Sequence, residues 1–156
     1  MRIALFAGSF DPFTRGHVAI VESALRLFDR VVIGVGYNIN KRGLLSVEQR
    51  CQLISDYYKG DNRIEVGCYQ GMTGEYAESI GATALIRGLR NGSDLEFERT
   101  VESVNRALYP GLQSVMILPP AELQHISSSV VRELMHFGKG VDSLMPEGID
   151  INKYIK

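Results

Sequence analysis

The sequence lacks the features of disulfide-bonded, zinc-binding and membrane-spanning proteins. It has two cysteines, Cys51 and Cys68, in neither CxxC nor metal-ligand spacing, so we expect reduced thiols rather than a disulfide. The longest apolar runs fall far short of the roughly 20 residues that a membrane helix needs, and the N-terminus does not have the form of a signal peptide. These absences predict a cytoplasmic protein with no membrane partner.

Neither sign of charge is in excess. The chain has 17 Lys plus Arg against 18 Asp plus Glu, a net charge of −1. Because a basic excess is typical of nucleic-acid-binding proteins, we expect no nucleic-acid partner. Residues 1–156, 45% of them hydrophobic, suit a single domain, and no linker, low-complexity segment or repeat divides them.

Several catalytic and nucleotide-binding motifs are also missing. There is no Walker A sequence, no Gly-x-Ser-x-Gly elbow and no His-Glu-x-x-His. Gly34-Val35-Gly36 lacks the third glycine of a dinucleotide fingerprint. The sequence therefore argues against P-loop enzymes, serine hydrolases, zinc proteases and dehydrogenases.

Short apolar runs alternate with segments of helical periodicity. Strands are predicted at 2–7, 31–35, 63–68, 82–86 and 114–118. Helices are predicted at 16–28, after a Ser46–Gln49 capping box, from a Thr73 cap to Ile80, after a Ser93–Glu96 capping box, from a Ser127 cap to about His136, and after Pro146. This alternation predicts an α/β fold: a five-stranded parallel sheet with helices on both faces, in three layers (α/β/α).

The helix after Ser93 carries both an apolar stripe and polar residues. We expect the stripe to face inward; its members are Phe97, Val101, Val104 and Leu108. Glu98 and Asn105 lie seven positions apart beside this stripe. They are either exposed polar residues of an amphipathic helix or groups that contact a ligand.

Four loops follow predicted strands, and ligands of parallel sheets bind at the carboxyl ends of strands. The loops are Gly8–His17, Gly36–Gly43, Arg87–Asp94 and Pro119–Ser129. In the first, Thr14 can cap a helix whose first turn holds His17, where free N–H groups favour an anion. The alternative is a polar loop with a surface histidine.

Cations and hydroxyl groups occupy the other three loops. Lys41 can meet a phosphate as a point charge, or it is a solvated loop residue. Arg87 and Arg90 can bind phosphate through their guanidinium groups, or they pair with nearby carboxylates. Ser127–Ser129 open a helix and either form an anion site or act only as a cap.

Three of these segments together resemble a known family. Thr14–His17 resembles the Thr-x-Gly-His form of the HIGH-type nucleotidyltransferase signature, and Ile126–Ser129 resembles its second motif. Within that superfamily Ile86–Arg90 indicates the phosphopantetheine adenylyltransferases of the bacterial coenzyme A pathway. The resemblance runs along essentially the whole chain.

This resemblance implies a Rossmann-like, doubly wound fold, a cytoplasmic location and a homohexamer. It implies adenylyl transfer from ATP to 4′-phosphopantetheine, giving dephospho-coenzyme A and pyrophosphate, with Mg²⁺ bound with ATP. The implied step is direct in-line attack of the acceptor phosphate on the α-phosphorus. Coenzyme A is a candidate feedback ligand.

The resemblance also implies the roles of individual residues. The catalytic residues would be His17, Lys41 and Arg90. The ATP-binding residues would be Ser9, Phe10, His17, Gly88, Leu89, Arg90, Glu98, Leu123, Gln124, His125, Ile126, Ser127, Ser128 and Ser129. The residues that bind the acceptor would be Ser9, Lys41, Met72, Thr73, Arg87 and Asn105, and no residue is implied as a metal ligand. Two positions depart from the family pattern: Arg15, where Asn is common, and His125, where we expect an aromatic residue.

Two other functions remain as alternatives. One is adenylyl or cytidylyl transfer to nicotinamide mononucleotide or glycerol 3-phosphate, against which Ile86–Arg90 argues. The other is a non-catalytic nucleotide-binding module, against which the complete set of His17, Lys41 and Arg90 argues. A panel of phosphorylated acceptors separates the three.

Overall fold

The computed structural model describes residues 1–155, and the strands within them form one parallel sheet. The strands are β1 (Ile3–Gly8), β2 (Arg30–Gly36), β3 (Ile64–Tyr69), β4 (Ala84–Gly88) and β5 (Gln113–Ile117). Their order is β3-β2-β1-β4-β5, and neighbours are parallel throughout. The connections leave β1 and β4 in opposite directions, so a crevice opens between their carboxyl ends. The predicted five-stranded parallel sheet is confirmed.

Helices cover both faces of this sheet. They are α1 (Arg15–Leu25), α2 (Val47–Tyr57), α3 (Thr73–Ser79), α4 (Gly92–Leu108) and α5 (Ser128–His136), with 3₁₀ turns at Ala121–Leu123, Asp142–Leu144 and Ile151–Lys153. Alternate strand residues feed two cores, because successive side chains of a strand point to opposite faces. Phe6 packs in the core of α1, α2 and α5, whereas Leu5 packs in the core that contains Ala77 of α3 and Tyr109. The three-layer prediction is confirmed.

Two predicted helix starts are confirmed by their hydrogen bonds. Ser46 Oγ accepts from the Gln49 amide at 3.2 Å, and Gln49 Oε1 accepts from the Ser46 amide at 2.8 Å, which completes the capping box. Ser127 Oγ accepts from the Val130 amide at 3.2 Å. The predicted helix after Pro146 is a single 3₁₀ turn at Ile151–Lys153.

Two other predicted caps are wrong. Helix α4 begins at Gly92, before Ser93, because Asn91 Oδ1 already accepts from the Asp94 amide at 2.9 Å. Asparagine caps helices as well as serine does and comes two positions earlier. Thr73 is the first residue of α3 rather than its cap, and its hydroxyl lies 2.8 Å from that of Tyr69.

The predicted inward stripe of α4 is also wrong. Phe97 and Leu108 are 64% and 56% exposed, whereas Glu98 and Asn105 are buried. The helix turns its polar residues toward the sheet because Glu98 forms an ion pair there with Arg87. Periodicity predicted an amphipathic helix but could not tell which of its faces meets the sheet.

Cys51 and Cys68 are both free thiols in the structure, as the sequence predicted. Cys51 is half-buried, and Cys68 is exposed. Within residues 1–155 no helix combines the length and apolarity needed to cross a membrane.

Candidate active site

A cavity of about 320 Å³ opens at the carboxyl ends of β1 and β4. We call it the inner cavity. It is built by three of the four predicted loops. The predicted site residues that line it are Ser9, Phe10, His17, Arg87, Gly88, Arg90, Glu98, Leu123, Ile126, Ser127, Ser128 and Ser129. The strand order brings these loops together, since β1 and β4 are neighbours.

A second, more open cavity of about 1220 Å³ adjoins the first, and we call it the outer cavity. Its lining includes Lys41, Arg42 and Tyr69, and it shares Ser9 and Arg132 with the inner cavity. Phosphate groups in the two cavities would therefore meet at Ser9.

Six predicted residues line neither cavity. They are Leu89, Gln124, His125, Met72, Thr73 and Asn105. Gln124 and His125 are exposed beside the inner cavity, and Met72 is 43% exposed. Thr73 is linked to the outer cavity through its contact with Tyr69, and Asn105 is buried on α4.

The ring of His17 is held by the start of α1 and by an aromatic cluster. Thr14 is the N-cap residue, and its amide donates to His17 Nδ1 at 2.9 Å. The ring stacks on Phe13 with centroids 5.2 Å apart and meets the edge of Phe10 at 5.0 Å. Because Nδ1 accepts a hydrogen bond, the proton of the neutral ring is on Nε2.

Burial lowers the pKa of His17 to about 4, with a further contribution from the nearby Arg90 guanidinium. Both causes disfavour the imidazolium form. At pH 7 His17 therefore offers the inner cavity a neutral N–H donor rather than a positive charge.

Arg87 is fixed by the Glu98 carboxylate, which lines the same cavity. Its Nε and one terminal nitrogen donate to the two Glu98 oxygens at 2.7 and 2.8 Å. Its other terminal nitrogen donates to the Ala7 carbonyl at 3.2 Å. Both Glu98 oxygens are thus engaged by Arg87, and the pair orients a cation at the cavity wall.

Arg90 also pairs with a carboxylate, but through one guanidinium nitrogen only and closer to solvent. Its Nε lies 3.2 Å from Asp94 Oδ2, which also accepts from the Arg90 amide at 2.9 Å. Both pairings expected under the alternative reading of the two arginines are therefore present. Both arginines nevertheless line the inner cavity.

The three serines at the start of α5 have different hydrogen bonds. Ser127 caps the helix, Ser128 donates to the Pro12 carbonyl at 2.8 Å, and Ser129 accepts from Arg132 at 3.2 Å. Ser128 thereby ties α5 to the first loop. The first turn of α5 lines the inner cavity, and the start of a helix suits an anion.

Sequence reasoning did not single out three residues that join these loops: Asp11, Arg50 and Arg132. Arg132 lines both cavities and donates to the Asp11 carbonyl at 2.8 Å. A signal was present, because Arg132 follows Ser128 by one helical turn and shares its face.

Residues 1–155 contain no group of three or more His, Cys, Asp or Glu placed to hold a metal ion. The two carboxylates at the inner cavity, Asp94 and Glu98, are engaged by arginines. The described residues therefore offer no preformed metal site.

The sequence matches a family model described as cytidylyltransferase-like over residues 5–134. It is 51% identical to a phosphopantetheine adenylyltransferase of Porphyromonas gingivalis, over 94% of this chain and 95% of the relative. It is 40% identical to a phosphopantetheine adenylyltransferase of Bacteroides thetaiotaomicron, over 97% of this chain and all of the relative.

The fold is similar to that of a solved structure from Vibrio parahaemolyticus, described as a putative nicotinate-nucleotide adenylyltransferase. The TM-score is 0.72 at 20% identity, over 99% of this chain and 91% of the other. At that identity the likeness concerns the fold alone.

Proposed function

The chain belongs to the phosphopantetheine adenylyltransferases, nucleotidyltransferases of coenzyme A biosynthesis, and from this premise we propose that the inner cavity binds ATP and the outer cavity the acceptor. The reaction transfers the adenylyl group of ATP to 4′-phosphopantetheine, giving dephospho-coenzyme A and pyrophosphate. One observation carries the placement of the substrates: Ser9 lines both cavities at the switch point of the sheet. Residues 1–156 act in this proposal as one domain.

The proposed step is a direct in-line displacement. An oxygen of the acceptor phosphate bonds to the α-phosphorus of ATP as the bond from that phosphorus to the bridging β-oxygen breaks. Pyrophosphate leaves with the electron pair. Because a phosphate monoester is already a nucleophile at neutral pH, no general base is required. The protein contributes positioning and stabilisation of the charge on the transferring group.

His17 donates from Nε2 to an oxygen of the α-phosphoryl group in this scheme. The lowered pKa supports this role, because the donor stays neutral and its geometry is set by Thr14. Lys41 and Arg90 add positive potential. Arg87 lines the inner cavity, so it binds the acceptor phosphate where that phosphate enters the inner cavity to reach ATP. The amides and hydroxyls of Ser127–Ser129 bind the ATP phosphates.

The remaining assignments stay predictions. For ATP these are Phe10, Gly88, Leu89, Glu98, Leu123, Gln124, His125 and Ile126. For the acceptor these are Met72, Thr73 and Asn105. Since Arg87 engages both oxygens of Glu98, we assign Glu98 the orientation of Arg87 in addition to its place beside ATP.

Mg²⁺ enters this proposal as part of the MgATP substrate. The described residues offer no cluster of ligands for it, so ATP phosphates would be its main ligands. Bound Mg²⁺ would neutralise phosphate charge. A cytoplasmic location and feedback by coenzyme A stay predictions.

A homohexamer would account for the exposed apolar face of α4. Phe97, Val104 and Leu108 are each at least half exposed in the single chain. Exposed apolar side chains grouped on one face are typical of an interface. Sedimentation of the wild type should show a hexamer, and Val104→Asp should dissociate it. A monomeric wild type would contradict the assembly without affecting the reaction.

The decisive experiment supplies ATP, Mg²⁺ and 4′-phosphopantetheine and measures pyrophosphate and dephospho-coenzyme A together. We expect equal amounts of both. Product only with nicotinamide mononucleotide or glycerol 3-phosphate would overturn the acceptor. ATP binding without product from any acceptor would indicate a non-catalytic module.

A further inference from the structure

One buried carboxylate joins the first loop of the site to the loop after β2. Asp11 is 6% exposed. Its Oδ2 accepts from the Leu44 amide at 2.9 Å, and its Oδ1 accepts from the Leu45 amide at 2.8 Å. The two amides lie more than thirty positions from Asp11 along the chain, so the bonds between the two loops are tertiary contacts.

Arg50, in the first turn of α2, reinforces the same link. Its Nε lies 3.4 Å from Asp11 Oδ1 and donates to the Leu45 carbonyl at 3.0 Å. A terminal nitrogen of Arg50 donates to the Ser9 carbonyl at 3.3 Å. One guanidinium group therefore contacts both loops and the carboxylate between them.

Gly43 allows the second loop to come this close. A Cβ built on Gly43 would collide with both the Asp11 carboxylate and the Arg50 guanidinium. Both are held by several partners and cannot move away cheaply. The link therefore needs glycine at 43 for space, as well as the charges of Asp11 and Arg50.

The linked loops carry opposite parts of the site. Ser9 and His17 belong to the first loop and the helix that follows it, and both line the inner cavity. Lys41 lies two residues before Gly43, lines the outer cavity and is exposed. The Lys41 side chain is exposed and forms no salt bridge with the rest of residues 1–155, so its reach is set by the backbone of its loop.

We propose that Asp11 is a positioning residue that, with Arg50, sets the loop of Lys41 against the loop of Ser9 and His17. The proposal rests on the proposed function for its catalytic consequence. Asp11 borders the outer cavity, but both of its carboxylate oxygens accept from the Leu44 and Leu45 amides, so in this proposal it acts through Lys41. Two amide donors and a guanidinium need an acceptor with two oxygens. Asparagine would place an NH₂ group against one of these donors.

The first experiment compares Asp11→Asn in wild-type and Lys41→Ala backgrounds. Alone, Asp11→Asn should lower kcat/KM for the acceptor by up to about 10²-fold, the scale of a small misplacement of a reacting group. Its Kd for ATP without acceptor should stay within about twofold of the wild type. In Lys41→Ala, Asp11→Asn should change kcat/KM by less than about twofold, since the group being positioned is gone.

Asp61→Asn is the matched control. Asp61 also accepts from a backbone amide and an arginine, both of Arg63, but it lies before β3 at the opposite end of the sheet. Its kcat/KM should stay within about twofold of the wild type. If Asp11→Asn lowers activity by the same factor with and without Lys41, its role is general stability and the proposal is overturned.

A second measurement does not depend on activity. Amide hydrogen exchange at Leu44 and Leu45 should be faster in Asp11→Asn and in Gly43→Ala, and unchanged in β1 and β2. Gly43→Ala keeps every charge, so it tests the link even if Asp11→Asn fails to fold. Unchanged exchange at these two amides overturns the link, whereas a wild type without transferase activity overturns the proposed function and leaves the link standing.

Discussion

The groups proposed to act on the substrates are held in opposite ways in the two cavities. In the inner cavity His17 accepts from the Thr14 amide, and Arg87 is gripped by Glu98. In the outer cavity Lys41 and Arg42 are exposed, and neither forms a salt bridge with the rest of residues 1–155.

This difference suggests that the two cavities have different functions, stabilisation of the reacting phosphoryl group and capture of the incoming anion. Groups that stabilise charge at a reacting phosphorus act best when their geometry is fixed beforehand. A cation that gathers an incoming anion needs no fixed partner for its side chain, provided that the backbone of its loop is held in place. Side-chain substitutions should therefore be costly at His17 and Arg87 and tolerated at Lys41, provided that the charge of Lys41 is kept.

The largest effect is expected from His17→Ala. Loss of one preorganised donor should lower kcat by about 10²–10³-fold, or about 2.7–4 kcal/mol. Steady-state release of pyrophosphate measures this effect. His136→Ala, at the exposed end of α5, is the control. An unchanged kcat would mean that His17 only supports the start of α1.

Stability should depend on pH through His17. The His17 ring has a pKa near 6.5 in the unfolded chain and about 4 in the folded chain. Between these two pH values the ring is mostly protonated in the unfolded chain and mostly neutral in the folded chain. Acidification from pH 7 to pH 5 should therefore lower the free energy of unfolding by about 2 kcal/mol from this group alone.

Urea unfolding at the two pH values measures the change. His17→Gln is the matched variant, because glutamine at this position of a helix completes a capping box, as Gln49 does in α2. The wild type should lose more stability than this variant on acidification. Equal losses would show that His17 titrates normally in the folded state.

Arg87→Lys tests the inner cavity, where Glu98 fixes the arginine side chain. An ammonium group cannot reproduce the two-pronged contact with Glu98. We expect kcat/KM for the acceptor to fall by about 10–10²-fold, the range for a charged hydrogen bond. Activity close to the wild type would mean that charge alone matters at this position.

Lys41→Arg tests the outer cavity and should have the smallest effect of these substitutions. The charge is kept, and the loop imposes no partner on the side chain, so kcat/KM should stay within about threefold of the wild type. Lys59→Arg, outside both cavities, is the control. A loss as large as that of Arg87→Lys would remove the distinction between the cavities.

Local sequence signals predicted much of the molecule. The Ser46–Gln49 box and the Ser127 cap are confirmed, because a cap depends on residues three positions apart. The alternation of apolar runs predicted the parallel sheet. The loop chemistry and the family resemblance together anticipated most of the inner cavity lining, since strands of a parallel sheet end at one edge.

The wrong prediction of which face of α4 is buried depended on a contact with a residue outside the helix. Glu98 draws the polar face of α4 toward Arg87, so the apolar residues that were expected inside, Phe97 and Leu108, are exposed. No residue within α4 indicates that Glu98 will pair with Arg87 of β4. Asp11 was overlooked for the same reason, as its donors are in another loop.

The sequence by itself therefore determined the helices and strands, the parallel sheet and the chemical character of each loop, because these follow from short-range periodicity, capping and residue type. Tertiary structure alone decided which loops meet. The placement of β1 beside β4 creates the inner cavity, and Asp11 joins the loops at its border. Such choices depend on packing and ion pairing between residues far apart in the chain, which no local pattern records.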